Sequence, residues 1–215
     1  CLMILLFVRY ELSFDKQLPG ADQAFQFQSY FTDPDAGEVQ KIQMAPYVAR
    51  DLLTEKVAGP MTEKIWSQLE SSAWVADGKA SAPRVVYTFS DANCPYCHKF
   101  WDAARPWVDA GKVQLRHIMV GVIREDSPGK AAAILQAANP SAALLENEHA
   151  FDRGGIKPVA ISADASRKLD ANQALMVEMG FQGTPGILFK DAEGHVQRRS
   201  GLPQGNDLEL MFGPR

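Results

Sequence analysis

The feature that most constrains this chain is Cys94-Pro95-Tyr96-Cys97, placed where the β-rich run Arg84-Val85-Val86-Tyr87-Thr88-Phe89 gives way to a helix predicted from Pro95 to Ala110. At a helix N-terminus the first backbone N–H groups lack partners and the macrodipole is positive. Both favour an anion, so Cys94 is expected to titrate below the free thiol value of about 8.5. Two intervening residues let one helical turn bring the sulfurs within bonding distance. Cys94 is therefore expected to be the exposed attacking thiol, and Cys97, a turn deeper and more buried, the resolving one. Pro95 suits the first helical position, where its missing N–H is not needed, and with Tyr96 it forms the dipeptide between the sulfurs. His98 and Lys99 either add positive charge near the sulfurs or are ordinary exposed helix residues.

A second element, Gly183-Thr184-Pro185-Gly186, stands between the last long helix and the strand Ile187-Leu188-Phe189. A proline entering a strand is a candidate cis peptide. Such a turn can lie against a CxxC pair and offer the Thr184 backbone to an extended substrate segment, so Thr184 and Pro185 are candidate substrate-binding residues. Other uses of the cysteines fit less well. Structural zinc wants four ligands; the chain has three cysteines, no second CxxC, and no metal-like spacing among Cys1, His98, His117, His149 and His195. No metal is expected, and no cofactor beyond the Cys94–Cys97 redox pair. A structural disulfide closing so short a loop would add little by chain entropy. Trp66, Trp74, Trp101 and Trp107 are expected to pack in the core and at interfaces. A net charge of −4 argues against nucleic acid as a partner, since phosphate binding needs a concentrated basic surface.

The order of elements places this motif in an α/β unit. After the first strand and the helix, which contains Pro106 and is expected to kink there, comes a second strand over residues 113–123. An Ala-rich helical region follows from Ser127 to about Asn139, restarts at Pro140 and runs toward Phe151. Gly154-Gly155 breaks it, and another helix covers residues 164–179, stopped at Gly180. A hairpin of residues 186–190 and 196–199 and a short helix over 207–211 complete a β-α-β, helical block, β-β-α order, which suits a central sheet covered by helices.

Upstream, residues 60–76 predict an amphipathic helix, with Pro60 in the first turn, Met61, Ile65, Trp66, Leu69 and Ala73 at helical spacing, and Asp77-Gly78 as the stop. Within residues 1–58, Phe25, Phe27 and Tyr30-Phe31 suggest one strand and Val39, Ile42 and Met44 another, so a small α+β unit is expected. Residues 1–80 carry the excess acid, with 7 Lys/Arg against 11 Asp/Glu, whereas residues 81–215 hold 15 of each. The apolar run from Cys1 to Val8 is too short to span a bilayer, which needs about 20 residues. With no basic residue before it and no small-residue cleavage site behind, it predicts a buried strand or a non-native start, with a truncated signal core as the lesser alternative, rather than an intact signal peptide. A lipid-anchor role for Cys1 is disfavoured for the same reason.

Residues 60–215 resemble the DsbC/DsbG family of periplasmic thiol:disulfide interchange proteins. The resemblance is carried by Trp74-Val75-Ala76-Asp77-Gly78-Lys79, Cys94-Pro95-Tyr96-Cys97, Phe100-Trp101, Ala104-Arg105-Pro106-Trp107-Val108-Asp109, Gly111-Lys112-Val113-Gln114-Leu115-Arg116, Val120-Gly121-Val122-Ile123, Thr184-Pro185 and Gly201-Leu202-Pro203. It implies a thioredoxin-like fold with a helical insertion at about 127–180, making residues 80–215 the catalytic domain. It implies a linker helix over 59–79 and a cystatin-like dimerisation region over 1–58. Residues 1–55 match that region poorly, as if diverged or truncated. It further implies a periplasmic homodimer whose Cys94 and Cys97 are kept reduced by a membrane reductase of the DsbD type. Clients would be proteins with disulfides or oxidised cysteines, treated by isomerisation, reduction, sulfenic-acid repair or chaperone-like holding. The alternatives are a redox-independent binding clamp and a disulfide oxidase of the DsbA type.

Overall fold

A computed structural model of the chain describes residues 29–32, 39–42 and 59–214. It divides into two compact units, Cys1–Gly59 and Pro60–Arg215. In the first, β1 (Ser29–Thr32) pairs antiparallel with β2 (Val39–Ile42), Ser29 opposite Ile42. The strand expected from Phe25 thus takes in Tyr30 and Phe31, while Phe25, Phe27, Met44, Cys1 and the apolar run after it lie outside the described residues.

The second unit contains α1 (Gly59–Ser71), β3 (Trp74–Asp77), β4 (Arg84–Asp91), α2 (Pro95–Asp109), β5 (Val113–Val120), α3 (Ser127–Leu135), α4 (Pro140–His149), a 3-10 turn (Phe151–Arg153), α5 (Ala163–Glu178), β6 (Gly186–Lys190), β7 (Val196–Ser200) and α6 (Asp207–Phe212). Its five strands stand in the order β3-β5-β4-β6-β7, with β4 and β5 parallel and the other pairs antiparallel. This is the thioredoxin-like arrangement, with α3, α4 and α5 as the insertion. No helix among the described residues is long and apolar enough to cross a membrane.

β4 is the central strand, and its last six residues are all buried because both faces are covered. Alternation sends successive side chains to opposite layers. Val86 packs with Phe100, Trp107, Ile187 and Phe212 on one side. Tyr87 and Phe89 pack with Leu69, Ile118, Met176 and Phe181 on the other. A third cluster, including Met119, Ala131, Ile134, Leu144 and Leu169, seats the insertion. Trp101 and Trp107 are buried as expected of packing residues.

Two expected elements differ. The helix predicted to Ala73 and beyond ends at Ser71, and Trp74–Asp77 is an edge strand rather than part of a linker helix over 59–79. Ser72 Oγ donates to Leu69 O at 2.8 Å, and Asn172 on α5 accepts from Ala73 N at 3.3 Å and donates to Ala73 O at 3.0 Å. With those groups engaged, the backbone is free to pair with β5, Trp74 opposite Ile118. The helix packs on the sheet of its own unit: Leu69 is fully buried and Trp66 meets Tyr87 edge-on at 5.1 Å. The strand predicted to Ile123 ends at Val120, because the N–H groups of Val122 and Ile123 turn to the Asp91 carboxylate at 2.6 and 2.9 Å. Pro106 sits inside a helix that is continuous over Pro95–Asp109.

Candidate active site

The site lies at the junction where β4 ends and α2 begins. Cys94 is the N-cap residue of α2, in extended backbone conformation (φ −82°, ψ 112°), and Pro95 follows in the first turn. Its Sγ accepts the Cys97 N–H at 3.2 Å, taking the place that Ser or Asp oxygen fills in an ordinary cap. The Cys94 N–H donates to Asp91 O at 3.0 Å, which fixes the junction from behind. Both Cys94 and Cys97 are free thiols.

Over this junction lies the turn before β6. The Thr184–Pro185 peptide is cis. Because Gly186 pairs with Phe89 on β4, the turn is delivered beside the sulfurs, and the Cys94 thiol donates to Thr184 O at 3.4 Å. Glycine is required at 186, where a Cβ would stand 2.6 Å from the Phe181 ring. The Thr184 hydroxyl is buried without a partner among the described residues. The structure therefore brings Cys94, Cys97, Thr184 and Pro185 together, with Pro95 and Tyr96 on the exposed side; Tyr96 is 55% exposed.

Cys94 is not the exposed thiol the helix position suggested. It is 2% exposed and Cys97 4%. The cis-proline turn covers the first sulfur as effectively as the helix covers the second, so surface area does not distinguish them; chemistry does. The Cys97 thiol is the largest influence holding Cys94 down, to about 6, against the opposing effect of burial, with help from Thr184 and from the Cys97 and Tyr96 N–H groups. Cys97 moves the other way. Burial pushes its thiol up first, and its bond to Cys94 and the charge on that neighbour add to the rise. One sulfur is thus an anion near neutral pH while the other keeps its proton. The donor that geometry places on that sulfur is the Cys97 N–H at the helix end.

His98 and Lys99 are engaged elsewhere. The His98 ring stacks on Phe151 at 4.4 Å and its Nδ1 lies 2.9 Å from Glu148 Oε2, which ties it to the insertion. Lys99 Nζ sits 5.6 Å from the Tyr96 ring centre.

Sequence reasoning missed the polar residues that hold the junction. Asp91 is 2% exposed, and besides Val122 and Ile123 it accepts from Asn93 N and Ser127 Oγ, each at 2.8 Å. The available signal was the polar Ser90-Asp91 and Asn93 closing an otherwise apolar strand.

Comparison with known proteins agrees with this geometry. The thioredoxin-like domain family matches residues 75–212. The thiol:disulfide interchange protein DsbG of Pseudomonas aeruginosa is 51% identical over 169 residues, 78% of this chain and 66% of that protein. The protein of the same name from Escherichia coli is 38% identical over 167 residues, 77% of this chain and 67% of its own. The chain thus spans about two thirds of the length of these relatives. Among solved structures, ScsC of Proteus mirabilis in a transitional conformation has a TM-score of 0.60 at 20% identity, covering 77% of this chain and 85% of its own. A periplasmic thioredoxin-like protein from Salmonella enterica has a TM-score of 0.56 at 21% identity, covering 69% and 94%. These two likenesses concern the fold alone.

Proposed function

The chain belongs to the DsbG family of thioredoxin-like thiol:disulfide interchange proteins, and from that premise we propose that it exchanges disulfides with client proteins of the periplasm through Cys94 and Cys97. The observation that carries this is the placing of two free thiols one helical turn apart at the start of α2, with Cys94 Sγ accepting the Cys97 N–H at 3.2 Å and lying 3.4 Å from the Thr184 carbonyl.

The Cys94 thiolate attacks one sulfur of a client disulfide, the other client sulfur leaves as a thiolate, and a mixed disulfide forms. From there two exits balance. Cys97 loses its proton and attacks Cys94 Sγ, so the client leaves with two more electrons and the pair becomes a disulfide. Alternatively a second client thiolate attacks the client sulfur of the mixed disulfide and expels Cys94 as it was, so the client is isomerised with no net electron transfer. A client sulfenic acid enters the same route: Cys94 attacks its sulfur, the S–O bond breaks, and the departing hydroxide takes a proton from solvent to become water. The exposed side chains of Tyr96, Val122, Ile123 and Val177, and the groove lined by Met176, Phe181 and Gly183, support chaperone-like holding of unfolded clients beside the thiols. Thr184 offers the client its backbone, and its unpartnered hydroxyl is a donor for the thiolate that remains when Cys94 loses its proton. No cofactor enters any of these steps. A membrane reductase of the DsbD type would return the pair to the dithiol, and the family resemblance supports a homodimer.

A trapping experiment tests the reading. A Cys97→Ala protein should accumulate mixed disulfides with client proteins that reduction releases, and the parent pair should cycle in glutathione buffers. A pair that fails to cycle, or a Cys94→Ala protein that keeps full exchange activity, overturns it.

A further inference from the structure

Every residue between the end of β4 and the nucleophile is held by the helical insertion. The Asp91 side chain is bonded to the loop before α3 and to Ser127. The Ala92 carbonyl accepts from Asn147 Nδ2 at 3.3 Å, and Asn147 on α4 is fully buried. Asn93, 5% exposed, donates through Nδ2 to Asp126 Oδ1 and Ser127 Oγ, both at 2.9 Å. Its remaining atom, Oδ1, accepts from Lys130 Nζ at 2.7 Å.

Lys130 is the unusual member. It is 5% exposed, and charged lysines are almost never so buried unless paired. Its three N–H donors match three acceptors: Asn93 Oδ1, the Gly154 carbonyl at 2.8 Å, and Asp126 Oδ2 at 3.3 Å. One cation therefore ties together α3, the loop after α4 and the residue next to Cys94. The proposed exchange chemistry gives it no step.

We propose that Lys130 is a positioning residue for Cys94, acting through Asn93 to hold the β4–α2 junction so that Cys94 Sγ stays under the Cys97 N–H. The inference rests on the exchange reading of Cys94 and extends it to the insertion, which becomes a determinant of sulfur reactivity. The Sγ–N bond is 3.2 Å, a close contact for a sulfur acceptor, so a displacement of the junction lengthens and weakens it. Without the ammonium, Asn93 Oδ1 is left buried and unpaired, and the junction moves to find it a partner. The thiolate then loses a donor. Among the described residues, the charged and titratable groups facing this region are Asp91 on β4, Cys97 and His98 on α2, Asp126 and Lys130 at α3, and Glu148 on α4, and of these only Lys130 places a positive donor on the junction itself.

The test uses the full reduced chain, following thiolate ultraviolet absorbance and the rate of iodoacetamide alkylation against pH. Lys130→Met should raise the Cys94 midpoint by about one unit, which slows alkylation at pH 6 about fivefold. Asn93→Ala should raise it similarly, and the double variant no further, since the two side chains act through one bond. An unmoved midpoint in a folded Lys130→Met protein overturns the proposal. So does a shift in Lys130→Met with none in Asn93→Ala, the mark of a direct charge effect, and so do single shifts that add in the double variant. Should Lys130→Met fail to fold, Asn93→Ala decides alone. A parent protein whose Cys94 titrates like a free thiol defeats the exchange reading instead; a parent midpoint near 6 with unmoved variants defeats only this inference.

Discussion

Two buried carboxylates, at the ends of β3 and of β4, strands that β5 separates in the sheet, are held in opposite ways. Asp77 closes β3 and faces charge: Arg105 on α2 bonds both its oxygens, and His117 Nε2 lies 3.7 Å away. Asp91 closes β4 and faces dipoles, with three backbone N–H groups and the Ser127 hydroxyl around it and, among the described residues, no cation in direct contact. A charged partner makes the first a fastening between α2 and the edge of the sheet. Fixed backbone donors make the second a template, since each bond dictates the course of a loop beside the thiols. Burial alone does not tell the two apart; the kind of partner does.

Breaking the template should have the largest effect. Asp91→Ala leaves four donors without their acceptor, and at about 1–3 kcal/mol for each buried group the loss is at least several kcal/mol. The protein is expected to unfold at much lower denaturant, and whatever fraction stays folded should show slower alkylation of Cys94. A variant that kept the parent alkylation rate would mean that the loops find their course without the carboxylate. Breaking the fastening comes next. Arg105→Leu strands a buried charge at a cost of about 3–5 kcal/mol, read from chemical denaturation. Per folded molecule, however, the Cys94 titration should stay where it was, because Arg105 touches neither sulfur.

A smaller effect is expected from pH. Asp77 titrates at about 2 rather than 3.8, lowered by hydrogen bonds and charges of His117 and Arg105 although burial, the largest single influence, opposes them. A carboxyl whose folded pKa is depressed contributes stability that is fully present above its unfolded value and fades as the pH falls through its folded one. The contribution, about 2 kcal/mol by the usual conversion of 1.36 kcal/mol per unit, should therefore disappear between pH 3.8 and about 2. Asp77→Asn should flatten the stability profile in that window, and a profile of unchanged slope would assign the acid sensitivity to another group. The smallest effect belongs to Asp164 on α5, which meets Lys168 at 2.7 Å and Arg167 at 3.1 Å in open solvent. Lys168→Ala should leave the thermal midpoint unchanged within error, because water screens such pairs.

The same contrast explains how far the sequence could be read. Cys94 as a cap, Pro95 in the first turn and the Gly180 stop with its φ of +76° depend on a few adjacent residues, and were legible. The Thr184–Pro185 turn was legible as a candidate cis peptide because proline alone makes that isomer cheap. Trp74–Asp77 was not. Its residues continued a helical rhythm, and only Asn172, 99 positions away, and the free edge of β5 drew them into the sheet. Lys130, Asn147 and Asn93 looked like ordinary polar residues of helices and a turn, since nothing in the neighbourhood of each names its partner.

What the sequence by itself determined is the local chemistry: a helix that starts on a cysteine, a second sulfur one turn in, a proline turn poised before a strand, and the alternation that builds a doubly covered sheet. What only the tertiary structure decided is how that chemistry is shielded and aimed. Folding brought the Thr184 turn over Cys94, buried the Cys97 thiol one turn deeper, and clamped the junction with an insertion that begins more than thirty residues downstream. The reason is physical. Caps and periodicity are settled by neighbours along the chain, whereas burial and buried hydrogen bonds are settled by whichever distant groups the packed core leaves within reach.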